Sequence, residues 1–152
     1  MSFEMDTLLG FANVAAENAE AEVVLWSELD PEGNPNPDQP DGSVPIYIDR
    51  WPESPDDAVT ITDYTVDDSP ALSDSTIGVQ VTIRSRDLDR VKGISSDLFA
   101  LFHGRWGGKV GTVTLVTARR ASGTNTGQDS NDRQGRVENY YLTVHRPSTH
   151  RQ

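Results

Sequence analysis

Ile77-Gly78-Val79-Gln80-Val81-Thr82-Ile83-Arg84-Ser85-Arg86, running on through Asp87 to His103 and Gly104, is the stretch that decides the fold. Ile77, Val79, Val81 and Ile83 alternate with Gly78, Gln80, Thr82 and Arg84, the period-two signature of a half-buried strand. From Asp87 the period changes: Leu88, Val91, Ile94, Leu98, Leu101 and Phe102 recur at spacings of three and four, which is helical. Gly93 costs this helix about 1 kcal/mol relative to alanine. Gly104 stands where a left-handed residue commonly ends a helix. A strand handing directly to a helix centres an α+β domain.

On the N-terminal side, Ala58–Tyr64 alternates through Val59 and Ile61 and reads as a strand, and Asp67–Asp74 as the turn joining it to the first. Val44–Ile48 is a short strand whose proline sits at its start, where it is tolerated. Residues 30–43 hold Pro31, Pro35, Pro37 and Pro40, too many for a helix or an inner strand, and read as a flexible loop. Residues 3–19 read as an amphipathic helix with the stripe Leu8, Phe11, Ala12, Ala15 and Ala19 and with Ser2 as N-cap. Val23-Val24-Leu25-Trp26 suits either a continued helix or a new strand. Beyond Gly104, Val110–Arg120 is a strand with Val113, Leu115 and Thr117 on one side, and Val137–His145 is the last. Residues 121–136 between them are polar and aperiodic and read as a flexible connection, and 147–152 as a frayed tail. The order is α, β, β, β, α, β, β, so the sheet is expected to hold about five strands beside two helices.

The chain of 152 residues suits one domain, and its apolar fraction of 35 % is low enough to imply a large share of loop. No apolar run is long enough for a membrane span, and the acidic N-terminus lacks a signal-peptide pattern. These readings predict a soluble protein made in the cytoplasm and without membrane contact. The absence of cysteine excludes disulfides and thiolate chemistry. The net charge of −11 is unevenly held. Residues 1–78 carry 18 acids and one base, Arg50, whereas residues 79–152 carry 6 acids and 12 bases, so the halves stand at −17 and +6. One consequence is a solvated acidic surface; another is an acidic part of one copy facing a basic part of the next, a heterologous contact that closes into a ring. Binding nucleic acid over the whole surface is disfavoured at this charge.

Catalytic signals are sparse. His103 lies near a helix C-terminus, where it suits the free carbonyls, and His145 and His150 share no metal-ligand spacing with it. Asp67, Asp68 and Asp74 lack the spacing and terminal glutamate of a calcium loop, as does Asp129–Asp132. The glycines of Gly104-Arg105-Trp106-Gly107-Gly108 follow a helix instead of opening one, so they make no phosphate cradle. No cofactor, no metal and no enzymatic activity are expected. What remains is surface. Arg84, Arg86, Arg119 and Arg120 flank strand ends, either as gatekeepers of sheet edges or as a basic patch. Trp106 is either a lid on the core or an interface anchor.

Pro55–Tyr64, then Asp68-Ser69-Pro70, then Gly78–Val81 ending in Arg84-Ser85-Arg86, with the helix to Leu98 and the strand Gly135-Arg136-Val137 to Val144, resembles the minor tail or minor capsid proteins of siphophages. Within that group the chain looks like a tail terminator, over roughly residues 44–145. The resemblance implies a mixed, mainly antiparallel sheet with both helices packed on one face. It implies a structural virion protein at the head–tail junction, forming a homohexameric ring. Such a ring caps the last layer of tail-tube protein, stops tail polymerisation and docks to the head-completion or connector protein. Genomic DNA passes through it without specific binding. Subunit or partner contacts are then expected among Asp67, Asp68, Arg84, Arg86, Trp106, Arg119, Arg120, Arg133 and Arg136. The alternatives are a head-closure, neck or tail-tube protein, and a monomeric α+β binding domain.

Overall fold

The structure, a computed structural model, describes residues 1–17, 23–70 and 72–149. Helix α1 (Phe3–Ala16) opens at Ser2, whose Oγ accepts the Met5 N–H at 3.1 Å, with Glu4 and Asp6 in the first turn. Its stripe Leu8, Phe11, Ala12 and Ala15 is buried. The helix ends at Ala16, short of the expected residue 19, and Ala19 lies outside the described residues. Seven strands follow: β1 (Leu25–Ser27), β2 (Val44–Ile48), β3 (Ala58–Asp68), β4 (Asp74–Ser85), β5 (Lys109–Val110), β6 (Val113–Gln128) and β7 (Gln134–His145). Helix α2 (Leu88–Phe102) sits between β4 and β5, capped by Asp87 and ended at Gly104, whose φ is +83°.

The strands form one sheet in the order β1-β2-β3-β4-β7-β6-β5. The β1–β2 and β2–β3 pairings are parallel and all others antiparallel. The expected sheet of about five strands is therefore corrected to seven. The two additional strands, β1 and β5, have three and two residues, too few to display a period of two. The flexible connection expected over 121–136 is also corrected. It is the far end of a β-hairpin, with β6 running to Gln128, a tight turn at Asp129–Arg133, and β7 starting at Gln134. These residues are polar on both faces because that end of β6 reaches past the core, so burial imposes no alternation on it. Likewise, where a turn is expected over Asp67–Asp74, β3 runs on to Asp68 and β4 starts at Asp74.

In register, Ile77, Val79 and Val81 of β4 face Leu142, Tyr140 and Glu138 of β7. These positions point to the side that carries both helices. Phe11 of α1 and Phe102 of α2 stack with centroids 4.0 Å apart, and Tyr140 tilts against them at 5.9 and 6.0 Å. Truncating either phenylalanine to alanine costs about 3–5 kcal/mol by cavity formation. A bulge between Leu115 and Thr117 changes the reading of β6: Leu115 and Ala118 are buried, and Thr117 turns to the opposite face.

Among the described residues that opposite face has no helix. Thr60, Thr62 and Tyr64 line it on β3, Thr76 and Gln80 on β4, Asn139, Tyr141 and Thr143 on β7, and Thr117 and Arg119 on β6. The chain between β2 and β3 crosses part of it: Thr62 Oγ1 donates to Asp49 Oδ1 at 2.6 Å and Thr60 Oγ1 to the Arg50 carbonyl at 2.9 Å.

Candidate functional site

Four of the arginines expected at contacts are engaged inside the protomer. Arg84 is 4 % exposed. Its guanidinium donates to the Asp56 carbonyl at 3.1 Å and the Pro55 carbonyl at 2.6 Å, and lies 4.3 Å from the Trp51 ring centroid. Burial lowers its pKa, with the nearby Arg133 charge acting in the same direction. Arg133 is buried in the β6–β7 turn, donating to Asp129 Oδ2 at 2.8 Å and the Glu53 carbonyl at 2.6 Å. Arg84 holds the 53–56 loop against β4, and Arg133 holds it against the hairpin.

Arg136 and Arg120 meet at Glu138, which is fully buried. Arg136 Nε donates to Glu138 Oε1 at 2.8 Å, Arg120 Nη1 lies 3.7 Å from Oε2, and Tyr140 donates to Oε2 at 3.2 Å. The Ser95 hydroxyl of α2 also donates to this carboxylate. Burial, then the adjacent carboxylate, push the Tyr140 hydroxyl pKa well up, so it stays a donor. This cluster joins α2 to the hairpin, and sequence reasoning missed it. A glutamate at an inward-facing position of β7 was the signal available. His103 belongs to the same region: its Nδ1 accepts the Arg120 N–H at 3.0 Å and its ring stacks on Phe99 at 4.5 Å. Its side chain thus joins β6 to the helix end and does not cap the helix carbonyls.

The remaining expected contacts are exposed. Asp67 and Asp68 stand at the end of β3, and Arg86 pairs with Asp56 at 2.7 Å on the surface. Arg119 lies 4.9 Å over the Tyr141 ring on the helix-free face. Trp106 is 81 % exposed and forms a β-bridge with Thr117. It is no lid on the core. Sequence reasoning missed its neighbours Arg105 and Lys109, although residues 103–128 hold four bases and no acid.

The sheet order converts the charge asymmetry of the sequence into one of space. β1, β2 and β3 come from the acidic half and lie at one end, whereas β7, β6 and β5 come from the basic half and lie at the other. Among the described residues no group of three or more His, Cys, Asp or Glu is placed to hold a metal ion, and no helix is long and apolar enough to cross a membrane. A cleft of about 750 Å³ lies between α1, Pro31-Glu32 and the β5–β6 turn. It presents Asp6, Glu17, Glu32 and Lys109, and the Thr112 hydroxyl at its rim donates to the Asp6 carboxylate. This arrangement suits docking through edges and faces.

Residues 32–146 match the family model described as bacteriophage tail terminator protein. Among solved structures, a chain from the virion of a native gene transfer agent particle is similar in fold. The TM-score is 0.54 at 10 % sequence identity, over 66 % of this chain and 78 % of that one. A search of curated proteins finds no match.

Proposed function

Because the chain belongs to the bacteriophage tail terminator family, structural virion proteins and not enzymes, we propose that it forms a hexameric ring closing the tail tube. In this reading the ring caps the last layer of tail-tube protein, halts polymerisation and offers its other side to the head-completion or connector protein. The observation that carries it is the family match over residues 32–146. The opposite charges at the two ends of the sheet support it, because a ring requires two different, complementary surfaces on each copy. The negative net charge also suits a channel that lets DNA pass without holding it.

The test is electron microscopy of the purified protein mixed with tail-tube protein from the same source. Tubes capped at one end and stopped in growth are expected, together with six-fold rings. Incorporation along the length of the tubes would instead make it a tube protein. A monomer that neither caps nor enters tubes would refute the terminator role.

A further inference from the structure

The edge of the sheet formed by β5, β6 and the segment leading into them combines three properties. It is basic: residues 103–128 contain Arg105, Lys109, Arg119 and Arg120 and no acid. Only Arg120 of these four is tied to a carboxylate among the described residues, through Glu138. It is apolar at one point, where Trp106 is the most exposed large hydrophobic side chain described. And its backbone is open. Segment 104–110 covers the outer side of β6 only over its first part, with Gly104, Gly107 and Arg105 bonded to Ala118 and Val116. No described strand pairs with that side from Ala121 to Gln128. An edge with no acid in its own sequence and with an exposed tryptophan is built for an acidic partner, although Lys109 also faces Asp6, Glu17 and Glu32 across the cleft beside α1.

The opposite edge offers one. Asn36 donates its N–H to the Glu28 carbonyl at 2.9 Å and its Nδ2 to the Ser27 carbonyl at 3.1 Å, which fixes the entry to the following loop beside β1. Further on, Gln39, Gly42 and Ser43 share a cleft with Arg86 and Arg90. From Asn36 to the start of β2 the chain reads Pro37-Asp38-Gln39-Pro40-Asp41-Gly42, all exposed. Asp38 and Asp41 enter no ion pair among the described residues. We infer that the basic edge of one copy, anchored by Trp106 with Arg105, Lys109 and Arg119, docks the Asp38–Asp41 loop of a second copy. The two surfaces lie at opposite ends of one sheet, so the contact is heterologous and repeats from copy to copy. This rests on the ring reading and names the surfaces that make the ring.

The experiment compares four full-length chains by light scattering and electron microscopy, alone and on tail-tube ends. They are the wild type, Arg105→Glu/Lys109→Glu/Arg119→Glu, Asp38→Lys/Asp41→Lys, and all five substitutions together. Circular dichroism establishes that each is folded. Arg120 is left in place because it supports Glu138. Each partial reversal is expected to lower ring yield at least about tenfold, and the combined chain to regain it, since its acidic edge then meets a basic loop. If the wild type forms rings and either partial reversal forms them equally well, these surfaces are not the contact, although the ring stands. If both partial reversals fail and the combination does not recover, the two surfaces do not meet each other. If the wild type makes no ring under either condition, the ring reading falls and this inference with it.

Discussion

Tyr64 occupies the space that a side chain at Gly78 would need. The two residues are paired across β3 and β4, and a Cβ built at residue 78 would fall 2.2 Å from Tyr64 Cζ. The ring thus lies across β4, and its hydroxyl reaches β7 to donate to Asn139 Oδ1 at 2.7 Å. Asn139 in turn donates to Ser122 Oγ on β6 at 3.0 Å. One glycine therefore lets a polar tie run over four strands on the helix-free face. Gly78→Ala is expected to lower stability by about 1–3 kcal/mol, the usual cost of overpacking. In Tyr64→Ser the same change should cost much less, because the obstruction is gone. Additive losses in the double variant, measured by urea unfolding, would show that the ring is not what excludes the methyl group.

Arg84 was a candidate contact from its place at a strand end, and its surroundings give it an internal task. The carbonyls of Pro55 and Asp56 converge on its guanidinium under the Trp51 ring. Arg84→Met keeps the length of the stem and leaves those carbonyls without their donor. A loss of about 1.5–3 kcal/mol is expected from hydrogen bonds to a charged group. Assembly of the folded fraction should be unchanged. A folded, stable Arg84→Met protein with impaired ring formation would return this residue to the interface.

Elements with a long and one-sided burial pattern could be read from the sequence alone. β4 and α2 each offer several turns of period, and the buried residues Val79, Val81, Ile83, Val91, Ile94 and Leu98 are those the spacing selects. β1 and β5 could not be read, since their strand character comes from the neighbour they pair with and not from their two or three residues. The far end of β6 was hidden for another reason. Thr124, Asn125 and Thr126 are exposed on a strand end beyond the core, so pairing with β7 alone holds it. At the candidate site, the excess of basic residues in the C-terminal half was visible. Which of them are free was not, because the engagement of Arg84, Arg120 and Arg133 depends on carbonyls and a carboxylate distant in sequence, and that of Arg136 on a buried glutamate two residues away.

Asp63 gives the stability of the protein a dependence on pH. It lies on the helix side of β3, paired with Val79. Partial burial raises its pKa, and the charge of Asp49 adds to the rise. A carboxyl whose pKa is higher folded than unfolded favours the fold most when protonated, and that contribution is lost as pH rises through the folded value. At neutral pH the Asp63 charge therefore weighs against folding. Asp63→Asn is expected to raise the midpoint of thermal unfolding at pH 7 and to change it little in acid, where both side chains are neutral. A series of melts across the acidic range checks this. A gap between the two proteins that narrows towards neutrality would reverse the sign of the argument.

Glu138 is the residue on which the junction between α2 and the β6–β7 hairpin depends most. Its carboxylate is fully buried and receives Ser95, Tyr140 and Arg136, with Arg120 close by. Removing a buried charge does more than delete its own bonds, because the partners stay buried and unpaired. Glu138→Ala is therefore expected to destabilise the protein by about 3–5 kcal/mol. Glu138→Gln keeps an acceptor for Ser95 and Arg136 but removes the charge that two arginines share, so a smaller loss is expected. Arg136→Met should cost less again when made on Glu138→Gln than on the wild type, since a neutral amide needs its cation less. Hydrogen exchange adds a regional readout. The amides of residues 120–128 and 134–138 should lose protection in Glu138→Ala before those of β3 and β4 do, because this cluster ties the hairpin to the helix while β3 and β4 keep their own core. Uniform loss of protection across the sheet would mean that Glu138 supports the whole domain and has no particular hold on the hairpin.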